Sequence, residues 1–157
     1  MEDAAIQQIR AWREQAMGYQ FMHTHAANLE YTMDYTLAIP AIILGCISGS
    51  TLLVHDHSLG IAAGACGLVA TMLHGVRAFF EPGVKTQKHQ HASSDFEQFV
   101  HHIEWTVTRG GAHDETRILD DIHQRYVTLL NNSIPIPQKS MNAFRRLLMA
   151  YPFDHPL

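Results

Sequence analysis

The chain has 157 residues, 46% of them hydrophobic and 17% charged, with a formal net charge of −4 at neutral pH. Eleven Lys plus Arg residues make no basic patch able to neutralise a row of phosphates, so nucleic-acid binding is not expected. The length fits one domain, but the part left over from two long apolar stretches is too small for a large core of its own, and partners are expected.

The first residues, MEDAAIQQIRAW, carry two acids and no apolar run, unlike a secretory signal peptide, so insertion is expected to rely on internal segments. Between residues 4 and 34 Gly18 is the only Gly or Pro, and Ile6, Ile9, Trp12, Ala16, Tyr19, His23 and Ala27 recur at helical spacing. This predicts an amphipathic lead-in helix over 1–35 that continues into apolar sequence, with Pro40 as a candidate kink near a membrane boundary.

Residues 36–54 and 58–76 are two stretches of nineteen without one Lys, Arg, Asp or Glu, separated by His55-Asp56-His57. At about 1.5 Å per residue each is roughly 28 Å long, close to the hydrocarbon thickness of a bilayer. A transmembrane hairpin over 36–80 is expected. The alternative is a buried hairpin in a soluble bundle, but a core helix of so short a chain would show a charged stripe towards water, and neither stretch has one. Cys46 and Cys66 both fall within the spans and read as small packing residues rather than as a disulfide or a thiolate metal site.

The short polar turn, with Asp56 as a cap for the second helix, makes the spans antiparallel neighbours. Equal rise about Asp56 sets Gly45 level with Gly67, Gly49 with Ala63 and Cys46 with Cys66. Gly45, Gly49, Gly60, Gly64 and Gly67 are therefore the expected hairpin-packing residues. At the far end Arg77 falls beside Asp34, an expected interfacial ion pair, and Tyr31, Tyr35, Phe79 and Phe80 gather on the same side. Arg77, Lys85 and Lys88 flank this end while the turn has no Lys or Arg, which predicts cytosolic termini. Ser48, Ser50, Thr51, Thr71 and His74 are the polar groups at membrane depth. Ser48, Thr51, Thr71 and His74 are the pore-lining candidates, although hydroxyls in lipid more commonly satisfy backbone carbonyls of their own helix.

Beyond Phe80, Pro82-Gly83 is expected to break or bend the second helix. Cytosolic helices are predicted over 84–151: one to about Thr108 with Phe96, Phe99, Val100, Ile103 and Val107 on one face, ended by Gly110-Gly111. Another, opened by Asp114, runs to about Asn131 with Ile118, Leu119, Ile122, Tyr126, Leu129 and Leu130 on one face. Pro135-Ile136-Pro137 stops it, and Ser140 is the expected cap of a last helix through Tyr151, before a loose YPFDHPL tail. No strand pattern is present, so the fold class expected is all-α.

Twelve His residues raise the question of a metal, yet no two stand three or four apart, the spacing that puts two ligands on one helical face. Glu97, His101 and Glu104 share a face, and Asp120 and His123 are a turn apart, but the repeated Glu-x-x-His pattern of carboxylate-bridged iron is missing. No metal and no cofactor is expected, and solvated or interface histidine is the reading preferred. Without a G-x-S-x-G turn or a phosphate-cradling loop, an enzyme is not expected either.

With the helices placed, the order of residues resembles the SLATT family, the SMODS and SLOG-associating two-transmembrane effectors, especially its versions in large DNA viruses. Trp12, Tyr19, His23 and Ala27 stand in the order found in that family's N-terminal helix, and Pro40 with AIILGCISG is similar to its Ile-Pro start and aliphatic run. His89, Ala92, Ser93, Phe96, Phe99 and Ile103 match the types that follow its second span. Arg117, Tyr126, Leu130 and Ser133 through Pro137 resemble its final helix and Pro-rich stop. The chain departs at Ile134, where Pro is usual, and in the less basic setting of QHASSDFEQ. The resemblance covers most of the chain and implies a single SLATT-like domain over 1–157, an oligomeric membrane protein with cytosolic termini, and a pore-forming effector role in nucleotide-signal defence. No sensor is expected within these residues, so a trigger would come from a partner or be absent. A rival expectation is a structural membrane protein tethering a membrane, such as an internal virion membrane, to a protein shell.

Overall fold

The computed structural model describes residues 2–51, 57–109 and 115–150. Within them every regular element is an α-helix: α1 (Glu2–Thr51), α2 (His57–Phe80), α3 (Pro82–Arg109), α4 (Glu115–Asn132) and α5 (Gln138–Ala150). The expected turn residues His55 and Asp56, the Gly110-Gly111 stop, the opening residue Asp114 and the tail from Tyr151 lie outside the described residues. Pro40 sits inside α1, which continues through it. The chain forms two compact units, Met1–Ala27 with Gln87–Leu157, and Asn28–Thr86. The expected hairpin at 36–80 lies inside the second.

In the first unit α1 buries Ile9, Ala16 and His23 at a seven-residue period, with Gly18, Ala26 and Ala27 beside them, as a helix packed along its neighbours does. α3 answers with His89, Phe96 and Ile103 at the same period, joined by Ala92, Phe99 and Val100. The Tyr19 ring stacks on Phe96 with centroids 5.2 Å apart, and Arg13 donates to Glu104 Oε1 at 2.6 Å. α4 closes the core through Ile122 and Tyr126, whose ring stacks on Phe99 and whose hydroxyl donates to Gln15 Oε1 at 2.8 Å. Trp12 lies over both His123 and Tyr126. α5 approaches α1 at Gly18, where an added Cβ would stand 2.8 Å from the Phe144 ring.

One local expectation is corrected. Ser140 does not cap α5: the Pro137 carbonyl accepts from the backbone amides of Ser140 and Met141, so the helix starts ahead of Ser140. The Ser140 hydroxyl is instead fully buried, 3.2 Å from His25 Nδ1. In the second unit the expected break after Phe80 is present, but it falls on Glu81, one residue ahead of Pro82-Gly83. Glu81 takes φ 48°, and Pro82 opens α3 at a position where its missing N–H leaves no bond unmade. Left-handed backbone in a non-glycine residue costs about 1–2 kcal/mol. Two bonds hold this one, Glu81 N to the Arg77 carbonyl at 3.0 Å and Lys85 N to the Glu81 carbonyl at 3.1 Å.

Phe96, 1% exposed and stacked with both Tyr19 and His23, is the keystone of the first unit. Its replacement by Ala is expected to cost about 3–5 kcal/mol, read as a lowered denaturation midpoint of the detergent-solubilised chain.

Candidate functional site: the apolar hairpin

Among the described residues two helices are long and apolar enough to cross a membrane, and only 6% and 11% of their most apolar windows are buried. Ile42, Leu68, Met72 and Phe79 are 57%, 68%, 71% and 81% exposed. A soluble core helix would have these side chains covered, whereas among the described residues the outward face of this hairpin is an uncovered apolar surface.

The inward face is made of small residues at a seven-residue period. On α1 it runs Asp34, Ala41, Ser48, and on α2 Ala63, Ala70, Arg77. Ala41, Ala63 and Ala70 are 1%, 3% and 5% exposed. The rows run in opposite directions, with the Arg77 guanidinium against Asp34 at one end and the Ser48 hydroxyl against Gly67 further along. Between apolar helices in lipid there is no hydrophobic force, so association depends on close approach, which alanine and glycine permit.

The glycine assignment is corrected by this seam. Gly67 does meet the opposite helix, with Ser48 Oγ 2.8 Å from where its Cβ would be, but its neighbour is Ser48 and not Gly45. Gly45, Gly49, Gly60 and Gly64 have no atom within 4 Å of that position. Spacing by four marks a face that permits close packing, whereas the seam that forms in this chain follows the spacing by seven. Cys46 is exposed and Cys66 half-buried, and both are free thiols.

Arg77 binds Asp34 as a two-pronged pair, Nε to Oδ1 at 2.7 Å and Nη2 to Oδ2 at 2.9 Å. Such planar pairing is stronger and more directional than a single contact. An open hollow of about 450 Å³ lies beside it, lined by Asp34, His74, Arg77, Glu81 and Pro82 to Val84. Tyr31 stacks near Tyr35 at 4.5 Å, Phe79 meets Phe80 edge-on, and Lys85 stands 5.9 Å over the Phe80 ring. Aromatic and cationic groups of this kind suit the boundary between lipid and water.

Of the pore-lining candidates, Thr71 donates to the Gly67 carbonyl at 2.8 Å, the back-bonding that hydroxyls adopt in apolar surroundings. Ser50 does the same towards the Ile47 carbonyl. Ser48 lies in the seam, His74 is exposed at the hollow, and the side chain of Thr51 lies outside the described residues.

Reading by period alone missed a histidine pair in the first unit. His23 and His89 are both core residues rather than solvated ones, 0% and 2% exposed, with their Nδ1 atoms 3.0 Å apart. The signal available was that both fall on buried heptad positions. Glu104, weighed above with Glu97 and His101, is taken up by Arg13, which holds its carboxyl below the ordinary range. Among the described residues no three His, Cys, Asp or Glu side chains gather as a metal site would require. No protein-family model, curated protein or solved structure matches this chain.

The seam makes unequal demands on its small residues. Ala70→Leu is expected to destabilise the detergent-solubilised hairpin by about 1–3 kcal/mol, whereas Gly64→Ala, with open space at its Cβ, leaves the thermal midpoint level or higher. The reverse ranking would refute the seam. Arg77→Ala strands the Asp34 carboxylate and is expected to lower the same midpoint, with the exchanged pair Asp34→Arg, Arg77→Asp recovering much of the loss.

Proposed function

We propose that this chain is an oligomeric two-span integral membrane protein, similar to SLATT effectors, whose assembled hairpins perturb or permeabilise a bilayer. The observation that carries the membrane part is the outward face of the hairpin, apolar along both helices and uncovered, beside an inward seam closed by small residues. Lipid is the medium that such a surface suits. Both termini face the cytosol in this reading, which the positions of Arg77, Lys85 and Lys88 in sequence, just after the second apolar stretch, support. The chain acts without catalysis and without a cofactor, and a separate sensor protein supplies its trigger.

One observation favours a second reading. Thr71 and Ser50 spend their hydroxyls on their own helices, which leaves less polar surface for a water path. A structural membrane protein that anchors a protein shell to a bilayer needs the same hairpin and no conductance.

Two measurements separate these readings from each other and from a soluble bundle. Alkaline carbonate is expected to leave the chain in the membrane pellet, and its release would end both membrane readings. Dye or ion flux through proteoliposomes is expected from the oligomeric chain. A membrane-integrated oligomer that leaks nothing would end the permeabilising reading and leave the anchor, which then requires stoichiometric retention with a shell protein.

A further inference from the structure

We propose that the buried His23–His89 pair is an acid-sensitive latch between α1 and α3, closed while the two rings share one proton and opened when a second proton arrives. The inference concerns the first unit and does not rest on the membrane reading.

The site favours the neutral pair. The Nδ1 atoms stand 3.0 Å apart in a site closed to solvent, so one ring donates and the other accepts. A further proton must land either on the accepting Nδ1, where it sets N–H against N–H, or on the free Nε2 of the donor ring, and in both cases it places charge where water cannot reach. Nothing there would stabilise it. His23 Nε2 is buried without a hydrogen-bond partner, and the face of the ring lies on Phe96 at 5.7 Å.

The neighbours of the pair supply no compensating charge. α3 brings His89 to His23, with Ser93 bonded to Thr24 at 2.8 Å one turn away. On α1 itself Tyr19 stacks on the same Phe96 ring, and His25, two residues on, is bonded to Ser140. α5 meets α1 through Ser140 at His25 and through Phe144 at Gly18 and Phe21, while α4 meets the core through Tyr126. On α3, Lys85, Lys88 and His91 flank His89 in sequence but are exposed. Among the described residues no carboxylate is bonded to either ring.

The sign of the pH dependence follows. Burial first, then the neighbouring His89, lowers His23 from 6.5 to about 4, and burial lowers His89 as well. The opened state therefore binds more protons than the closed one below pH 6.5, and the latch weakens as pH falls through that value towards 4. Glu104 and Asp121 are held below their ordinary values and keep their charge over this window, so their loss does not account for it.

Hydrogen exchange on the full chain in detergent, corrected for the pH dependence of chemical exchange, tests the proposal. From the values for His23, the opening equilibrium of the α1 and α3 amides around the pair is expected to rise on the order of thirtyfold between pH 7.5 and 5. The double variant His23→Asn, His89→Asn, which keeps polar groups near the Nδ1 positions and cannot titrate, is expected to lose that dependence. An equal rise in the variant, or protection in the wild type that is flat to pH 5, would overturn the latch. Should the variant not fold, imidazole NMR of the wild type decides: both rings must resist protonation well below 6.5, and either one titrating at its ordinary value sinks the proposal.

Discussion

Everything in the second unit depends on two helices packing through small side chains, with Ala41, Ala63 and Ala70 nearly fully buried between them. Apolar helices in lipid gain nothing from hiding greasy side chains, since the surroundings are equally greasy. What remains is dispersion between closely packed backbones and whatever polar contact can be made without water. Ala41, Ala63 and Ala70 supply the first, and the two-pronged Asp34–Arg77 pair supplies the second at one end of the seam. The pair also fixes register, because a shift of either helix by one residue turns its side chain out of the seam. The two charges stand at the end of the apolar stretch and not within it.

The helices that continue beyond the hairpin follow a different logic. The first unit is an ordinary layered core, with aromatic rings stacked from Tyr19 through Phe96 to His23 and from Phe99 to Tyr126 and Trp12. In α1 the first unit buries Ile9, Ala16 and His23, seven apart, and the second buries Ala41 in its seam with α2.

The histidine pair is the exception to the core's apolar rule. A leucine and a phenylalanine would fill such a site at lower cost in unsatisfied polar atoms. Retaining two imidazoles there leaves His23 Nε2 without a partner and makes the α1–α3 contact responsive to pH, which an apolar pair never is.

Fold class, the number of long apolar helices, the pairing of Asp34 with Arg77 and the apolar faces of α3 and α4 were legible in the residues, because each rests on local periodicity or on charge standing at the edge of uncharged sequence. Which small residues touch was not legible. Spacing by four at Gly45/Gly49 and Gly60/Gly64 and spacing by seven at Ala41/Ser48 and Ala63/Ala70 are both compatible with close packing, and only the crossing of two particular helices selects one of them. The same holds for Ser140, whose hydroxyl could cap a helix or be buried against His25, and for His23 and His89. Sequence placed those two histidines on helices far apart in the chain, and tertiary structure alone set their rings in hydrogen-bonding contact, since that distance depends on how α1 and α3 pack and not on either helix by itself.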